Sequence, residues 1–183
     1  MLPYRVQHRD VPEQQVICLQ GVVNAFELPA FLQQGLTTLA QHATQNQTEI
    51  SGAPFVLYHE PVNEQDAGAV ELCLPVENAV PQSESISLKS DRAHREMFVT
   101  LSFQQVQEGN LMGAYEKIRL LMPGKGLRAE GSPREVYFNF NPAPEGEEAF
   151  LDVAFTVVPQ GCCGGSLTCA GPSANPANPE HLC

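Results

Sequence analysis

Basic residues are scarce: ten Lys and Arg stand against twenty-one Asp and Glu in 183 residues, for a net charge of −11. A nucleic-acid surface needs clustered Lys and Arg to meet phosphates, so direct nucleic-acid binding is not expected. No apolar run is long enough to span a bilayer, and no membrane partner is expected. The opening residues, MLPYRVQHRD, carry charge early and lack an apolar segment of secretory type, which reads as cytoplasmic. The five histidines, His8, His42, His59, His94 and His181, fall into no metal-binding spacing. No glycine loop sits between a strand and a helix to cradle phosphate, and no GxSxG elbow is present. Neither a cofactor nor a metal is expected, and nucleophilic catalysis by Ser or Cys has no support.

What is present is 43% hydrophobic residues with mixed charges, enough for one globular domain with a sizeable core. The acidic balance favours cationic small molecules or basic protein surfaces as partners. Of the six cysteines, Cys18 and Cys73 fall inside predicted strands and read as small buried hydrophobes. Cys162, Cys163, Cys169 and Cys183, with His181, have ligand types that suit zinc, but their spacing matches no standard knuckle. They read as free thiols in a Gly/Pro-rich tail, residues 159–183, expected to be mobile.

The chain says nearly the same thing twice. SGAPFVLYHE (Ser51–Glu60) is echoed by GSPREVYFNF (Gly131–Phe140), each a turn followed by a strand with a Tyr at the matching place, Tyr58 and Tyr137. A second strand follows each, Val70–Val76 and Leu151–Val157. Helices are predicted over Glu27–Ala43, where Leu28, Leu32, Leu36, Leu39 and Ala43 share a stripe, and over Leu111–Met122. Residues 3–23 read as a polar lead-in and the strand Gln15–Val23, and Glu77–Arg92 as an exposed connector. The fold class is α+β: duplicated strand-helix-strand-strand units, an antiparallel sheet with two helices on one side, and a central ligand groove on a pseudo-two-fold axis. The domain spans 1–158, with repeats at about 3–76 and 93–158.

Strand alternation in Pro133–Asn141 puts Glu135, Tyr137 and Asn139 on one face and Val136, Phe138 and Phe140 on the other. The second set is expected under the helices and the first set in the groove. Val56 and Tyr58 occupy the places of Glu135 and Tyr137, so the axis relates two tyrosines but only one carboxylate. Glu71 and Asp152 match each other on the neighbouring strands and are read either as facing the same side or as facing solvent. Rings beside a carboxylate suit a flat cationic ligand. A carboxylate in a partly apolar groove also suits general acid/base work. The plainer alternative is a core-edge tyrosine and an ordinary solvated glutamate beside Arg134.

These residues resemble the GyrI-like small-molecule-binding domain, the effector-binding module of bacterial multidrug-sensing regulators. GAPFVLYHE with ELCLPV, EGNLMGAYEKI, and SPREVYFNFNP with DVAFTV carry the likeness, over about residues 3–158. The resemblance implies a hydrophobic or cationic ligand, a groove acid at Glu135 and groove tyrosines at Tyr58 and Tyr137. Some similar free-standing proteins hydrolyse cyclopropane-bearing cytotoxins, which would make Glu135 the general base and Tyr137 its helper. Gln105-Val106-Gln107 stands where the family commonly has Gly-Pro-Tyr, and tryptophan, frequent in family grooves, is absent here. Phe26, Phe98 and Phe103 are the candidate substitutes. The resemblance starts at residue 3, which leads to the expectation of a stand-alone protein without a helix-turn-helix.

The expected binding residues are thus Glu135, Tyr137, Tyr58, Val56, Phe26, Phe98, Asn139 and Glu71. The first functional expectation is drug-like ligand binding for sensing, sequestration or toxin protection. The second is hydrolysis of a strained electrophile, and the third is a protein-interaction role such as gyrase inhibition.

Overall fold

A computed structural model describes residues 4–138 and 148–161. Asn139, Phe140 and the tail cysteines lie outside the described residues. The first half supplies β1 (Gln7–Val11), β2 (Gln14–Val23), α1 (Leu28–Gln45), β3 (Phe55–Tyr58) and β4 (Gly68–Val76). The second supplies β5 (Ile86–Asp91), β6 (His94–Ser102), α2 (Phe103–Gln107), α3 (Leu111–Leu121), β7 (Leu127–Ala129), β8 (Arg134–Tyr137) and β9 (Ala149–Pro159). A short 3-10 turn, Pro123–Lys125, follows α3. None of these helices is long and apolar enough to cross a membrane.

The strands form one curled antiparallel sheet in the order β1-β6-β9-β8-β3-β4-β2-β5, with β7 added beside β9. That order reads the same from either end once the halves are matched: β1 with β5, β6 with β2, β9 with β4, β8 with β3. The two halves meet at β3 and β8, where Val56 lies directly opposite Glu135. These are the matching positions of the two copies, so the axis passes between them.

The outer strands cross over. Val11 pairs with His94 and Gln14 with Asp91, so the register carries unbroken from β1·β6 into β2·β5. Residues 7–19 and 86–98 thus run as one long, bent antiparallel pair. The expected connector Glu77–Arg92 holds β5, and the expected lead-in holds β1. Both were illegible because their pairing partners lie far away in sequence, and polar alternation such as QHRDV carries no apolar signal.

Both helices cover the same face. Phe31, Leu32, Leu36 and Leu39 of α1 pack on it, and buried Gly35 brings the helix so close to β4 that an added Cβ would stand 2.8 Å from Leu72 Cδ2. Asn24 orders the turn that leads into α1, its Oδ1 accepting from the Phe26 and Glu27 amides at 2.9 and 3.1 Å. In α3, Ala114, Tyr115 and Ile118 face the sheet. A capping box, Ser102 with Gln105, starts α2, where no helix was expected.

Candidate functional site

Direct pairing fixes which side chains share a face. Leu72, Val56, Glu135 and Val153 lie in one transverse row, on the face that carries α1 and α3. The expectation that Val136 and Phe138 sit under the helices is therefore corrected. Val136 packs with Phe55, Val16, Cys18 and Cys73 on the helix-free face, and Phe138 is 47% exposed just past the end of β8. Glu135 and Tyr137 take the helix side because the carboxylate finds its partners there.

Three phenols converge on Glu135, which is 4% exposed. Tyr58 and Tyr137, the matching tyrosines of the two halves, both donate to Oε2, at 2.8 and 2.6 Å. Tyr115 reaches in from α3 and donates to Oε1 at 2.8 Å. Its ring also meets Phe155 edge-on, with centroids 5.8 Å apart. The stretch of α1 that corresponds, LPAFLQQGLTTLAQHATQ, holds no tyrosine, so the third hydroxyl has no symmetric counterpart. Burial, followed by the Glu135 charge, holds the Tyr115 hydroxyl far above its ordinary range. The same influences push Tyr58 and Tyr137 up, with the neighbouring tyrosine adding to the effect at Tyr58. All three hydroxyls thus keep their protons and act as donors. Among the described residues no Lys, Arg or His pairs with Glu135.

The remaining expected residues divide. Val56, fully buried, sits across the axis from Glu135. Phe26 is 71% exposed in the turn before α1. Phe98 lies opposite Ala154 on the helix-free face, beneath Arg9 at 4.3 Å from its ring centre. Glu71, opposite Leu57, also belongs to the helix-free face, and it is buried, as is Asp152. The expectation that both share the face of Glu135 or point to solvent is corrected: strand parity separates them from Glu135, and long cationic side chains cover them.

That second face holds a charged layer invisible in the sequence. Arg9 of β1 reaches over β6 to Glu96 and Asp152, and Thr100 Oγ1 donates to Asp152 at 2.6 Å. Lys89 of β5 reaches over β2 to Glu71 in the matching position. Arg134 grips Asp91 with two nitrogens at 3.0 and 3.2 Å, while its Nε lies 3.3 Å from Glu96 without hydrogen-bond geometry. Burial works to raise the Glu96 carboxyl, but His94, Arg134 and Arg9 together hold it below the usual carboxylate range.

No protein-family model matches the chain, and no curated protein does. Solved structures do. The EcmrR C-terminal domain is 18% identical, with a TM-score of 0.66 over 87% of this chain and 99% of that one. In the EcmrR–DNA complex the likeness is 17% identical at a TM-score of 0.67, covering 86% of this chain but spanning only 58% of the EcmrR chain. A hydrolase from Listeria innocua is 11% identical at a TM-score of 0.58, over 85% of this chain and 92% of its own. SAV2435, in its structure bound to tetraphenylphosphonium, is 9% identical at 0.52, over 84% and 94%. At these identities what is shared is the fold, and that fold is the GyrI-like one.

Proposed function

We propose that this chain is a small-molecule-binding module whose ligand is an apolar organic cation, held between the halves with its charge on Glu135. One observation carries the reading: a carboxylate buried on the axis between the halves, hydrogen-bonded by three neutral phenols and paired with no cation among the described residues. Buried carboxylates ordinarily carry a cationic partner, because leaving water is costly without one. The phenols satisfy the oxygens without cancelling the charge, and their rings offer cation–π surface to an incoming cation. Tyr58, partly exposed where Tyr115 and Tyr137 are buried, is the side chain that would move to admit it. The fold shared with SAV2435, solved with a lipophilic cation, supports the same class of ligand.

The test is calorimetric titration with tetraphenylphosphonium. Saturable binding that falls at least about tenfold in Glu135→Gln, a loss of roughly 1.4 kcal/mol, supports the reading. Equal affinity of the two chains, or none in either, ends it.

A second reading is hydrolysis of a strained electrophile. It draws on the protonation pattern: with all three phenols held as donors, Glu135 is the one group of the cluster fitted to take a proton from water. The likeness to a hydrolase of the same fold is in keeping with it. Multiple turnovers of a cyclopropane-bearing electrophile, lost in Glu135→Gln, would establish turnover over sequestration; a bound and intact substrate would exclude it.

A further inference from the structure

The two halves provide an internal comparison on the helix-free face. In the first, Glu71 lies opposite Gln20, and two residues along, Cys73 lies opposite Cys18. In the second, Asp152 lies opposite Thr100, and two residues along, Ala154 lies opposite Phe98. The carboxylate and its cation are thus written in both copies, as Glu71 with Lys89 and Asp152 with Arg9. The two thiols are written in one. Since the second copy holds its carboxylate without them, the thiols answer to something other than the ion pair.

Cys18, Cys73 and Glu71 are 1%, 2% and 3% exposed. Their ligand atoms, the two sulfurs and a carboxylate oxygen, all lie within 4.8 Å of one another. Thiolate sulfurs at about 2.3 Å and a carboxylate oxygen at about 2.1 Å around a tetrahedral Zn(II) stand roughly 3.6–3.8 Å apart, so small side-chain rotations close the set. The covering groups differ between the halves in the same sense. Arg9 clamps Asp152 and Glu96 together with a rigid fork, whereas Lys89 is a single flexible charge on Glu71 and can swing to solvent. His59 stands beside it, its Nε2 3.2 Å from Glu71 Oε2 and its Nδ1 2.8 Å from Ser132 Oγ. The side chains of Lys89 and His59 are 42% and 39% exposed, which places the way in from solvent directly over the carboxylate.

We propose that Cys18, Cys73 and Glu71 form a binding site for one thiophilic divalent cation of the Zn(II) type, with His59 at its rim against the Glu71 carboxylate. Binding converts two thiols to thiolates and releases two protons to solvent. Two thiolates and a carboxylate then leave one net negative charge around the ion, which Lys89 can neutralise from the rim. The donor set, two sulfurs with a carboxylate, selects zinc-like ions over Mg(II) or Ca(II). The site lies on the opposite face of the sheet from Glu135 and does not depend on any reading of that cluster.

The test uses the 183-residue chain with Cys162, Cys163, Cys169 and Cys183 replaced by Ser, so that Cys18 and Cys73 are its only thiols. It is titrated under reducing conditions with Cd(II) alone and then with Zn(II) in competition. One Cd(II) per chain by native mass spectrometry, with a thiolate-to-metal ultraviolet band that Zn(II) bleaches, is expected. Cys18→Ala and Cys73→Ala should each weaken uptake at least 100-fold, and Glu71→Gln about tenfold. Folding of each variant is checked by circular dichroism. The parent chain decides even if a variant fails to fold: no stoichiometric uptake by it overturns the proposal, as does unchanged uptake in a folded Cys18→Ala chain. A Cys18–Cys73 disulfide formed under mild oxidation by a parent chain that takes up no Cd(II) overturns it equally.

Discussion

Val56 and Glu135 face each other across the two central strands, one apolar and one acidic, at the point where the two copies of the chain meet. The duplication is symmetric in backbone but not in chemistry. Two related tyrosines, Tyr58 and Tyr137, close on one oxygen of one carboxylate. Had both positions been acidic, two buried carboxylates would repel; had both been valine, the tyrosines would lose their acceptor.

That convergence has a measurable signature. Tyr58→Phe and Tyr137→Phe are each expected to lower unfolding free energy by about 1–3 kcal/mol. The double variant should depart from the sum by at least about 0.5 kcal/mol, because both hydroxyls serve Oε2 and removing one strengthens the other. Urea denaturation of the four chains measures the coupling. Simple additivity would show that the two bonds are independent.

On the other face, Arg134 is buried between Asp91 and Glu96 and lies 4.6 Å from the centre of the Phe55 ring. Arg134→Met keeps most of the volume and strips the cation. It leaves two carboxylates without their shared partner, and a loss of about 3–5 kcal/mol is expected. A loss under about 1 kcal/mol would mean that Arg9 and His94 suffice. Either outcome is read from the midpoint of chemical denaturation.

How much of this was legible in the sequence depends on the residues in question. The stripe Leu28–Leu32–Leu36–Leu39 announces α1, and the repeated turn-strand-tyrosine pattern announces the duplication, because both are local periodicities. That Glu135 and Tyr137 share a face follows from alternation within PREVY, and the match of Tyr58 to Tyr137 follows from the repeat. Tyr115 lies inside the helix predicted over Leu111–Met122, and its role there is illegible, since nothing local says which strand a helix will cover. The face of Glu71 and Asp152 was misread for the same reason: alternation separates two faces but does not say which one the helices take. Cys18 and Cys73 are more than fifty residues apart in sequence, and only the register of β2 on β4 sets them side by side.

His94 gives the protein a pH dependence with a defined sign. Its hydrogen bond to Glu96 at 3.0 Å, against the cost of burial, raises its proton affinity above the ordinary 6.5; the Arg92 carbonyl at 2.7 Å and Asp91 at 3.9 Å also favour the charged form, and Arg134 opposes it. A group raised in the folded state contributes stability that is complete below its unfolded value and lost as pH climbs through the folded one. The melting temperature should therefore decline as pH rises from about 6.5 through the shifted value. In His94→Gln that decline should flatten, and an unchanged profile would assign the slope to other groups.

Gly68 opens β4 with no room for a side chain. A Cβ there would stand 2.4 Å from the Pro61 carbonyl oxygen and 2.9 Å from that of Glu60, both backbone atoms that cannot rotate away. Gly68→Ala is expected to cost about 1–3 kcal/mol or more, seen as a lower denaturation midpoint with an unchanged slope. A chain as stable as the parent would mean that the Glu60–Pro61 turn can shift freely.

The long crossed strands have a consequence for how such a chain can be cut or could have arisen. Because β1 is completed by β6 and β5 by β2, each half borrows its outermost ladder from the other. Severed near residue 80, neither fragment would own a full set of partners, and the two should reassemble on mixing rather than fold separately. A gene encoding one half would find its missing neighbour only in a second molecule, as a strand-exchanged homodimer. Fusion of two such genes would make that exchange permanent, and it would also free the copies to diverge at the single point on the axis where identical residues would otherwise collide.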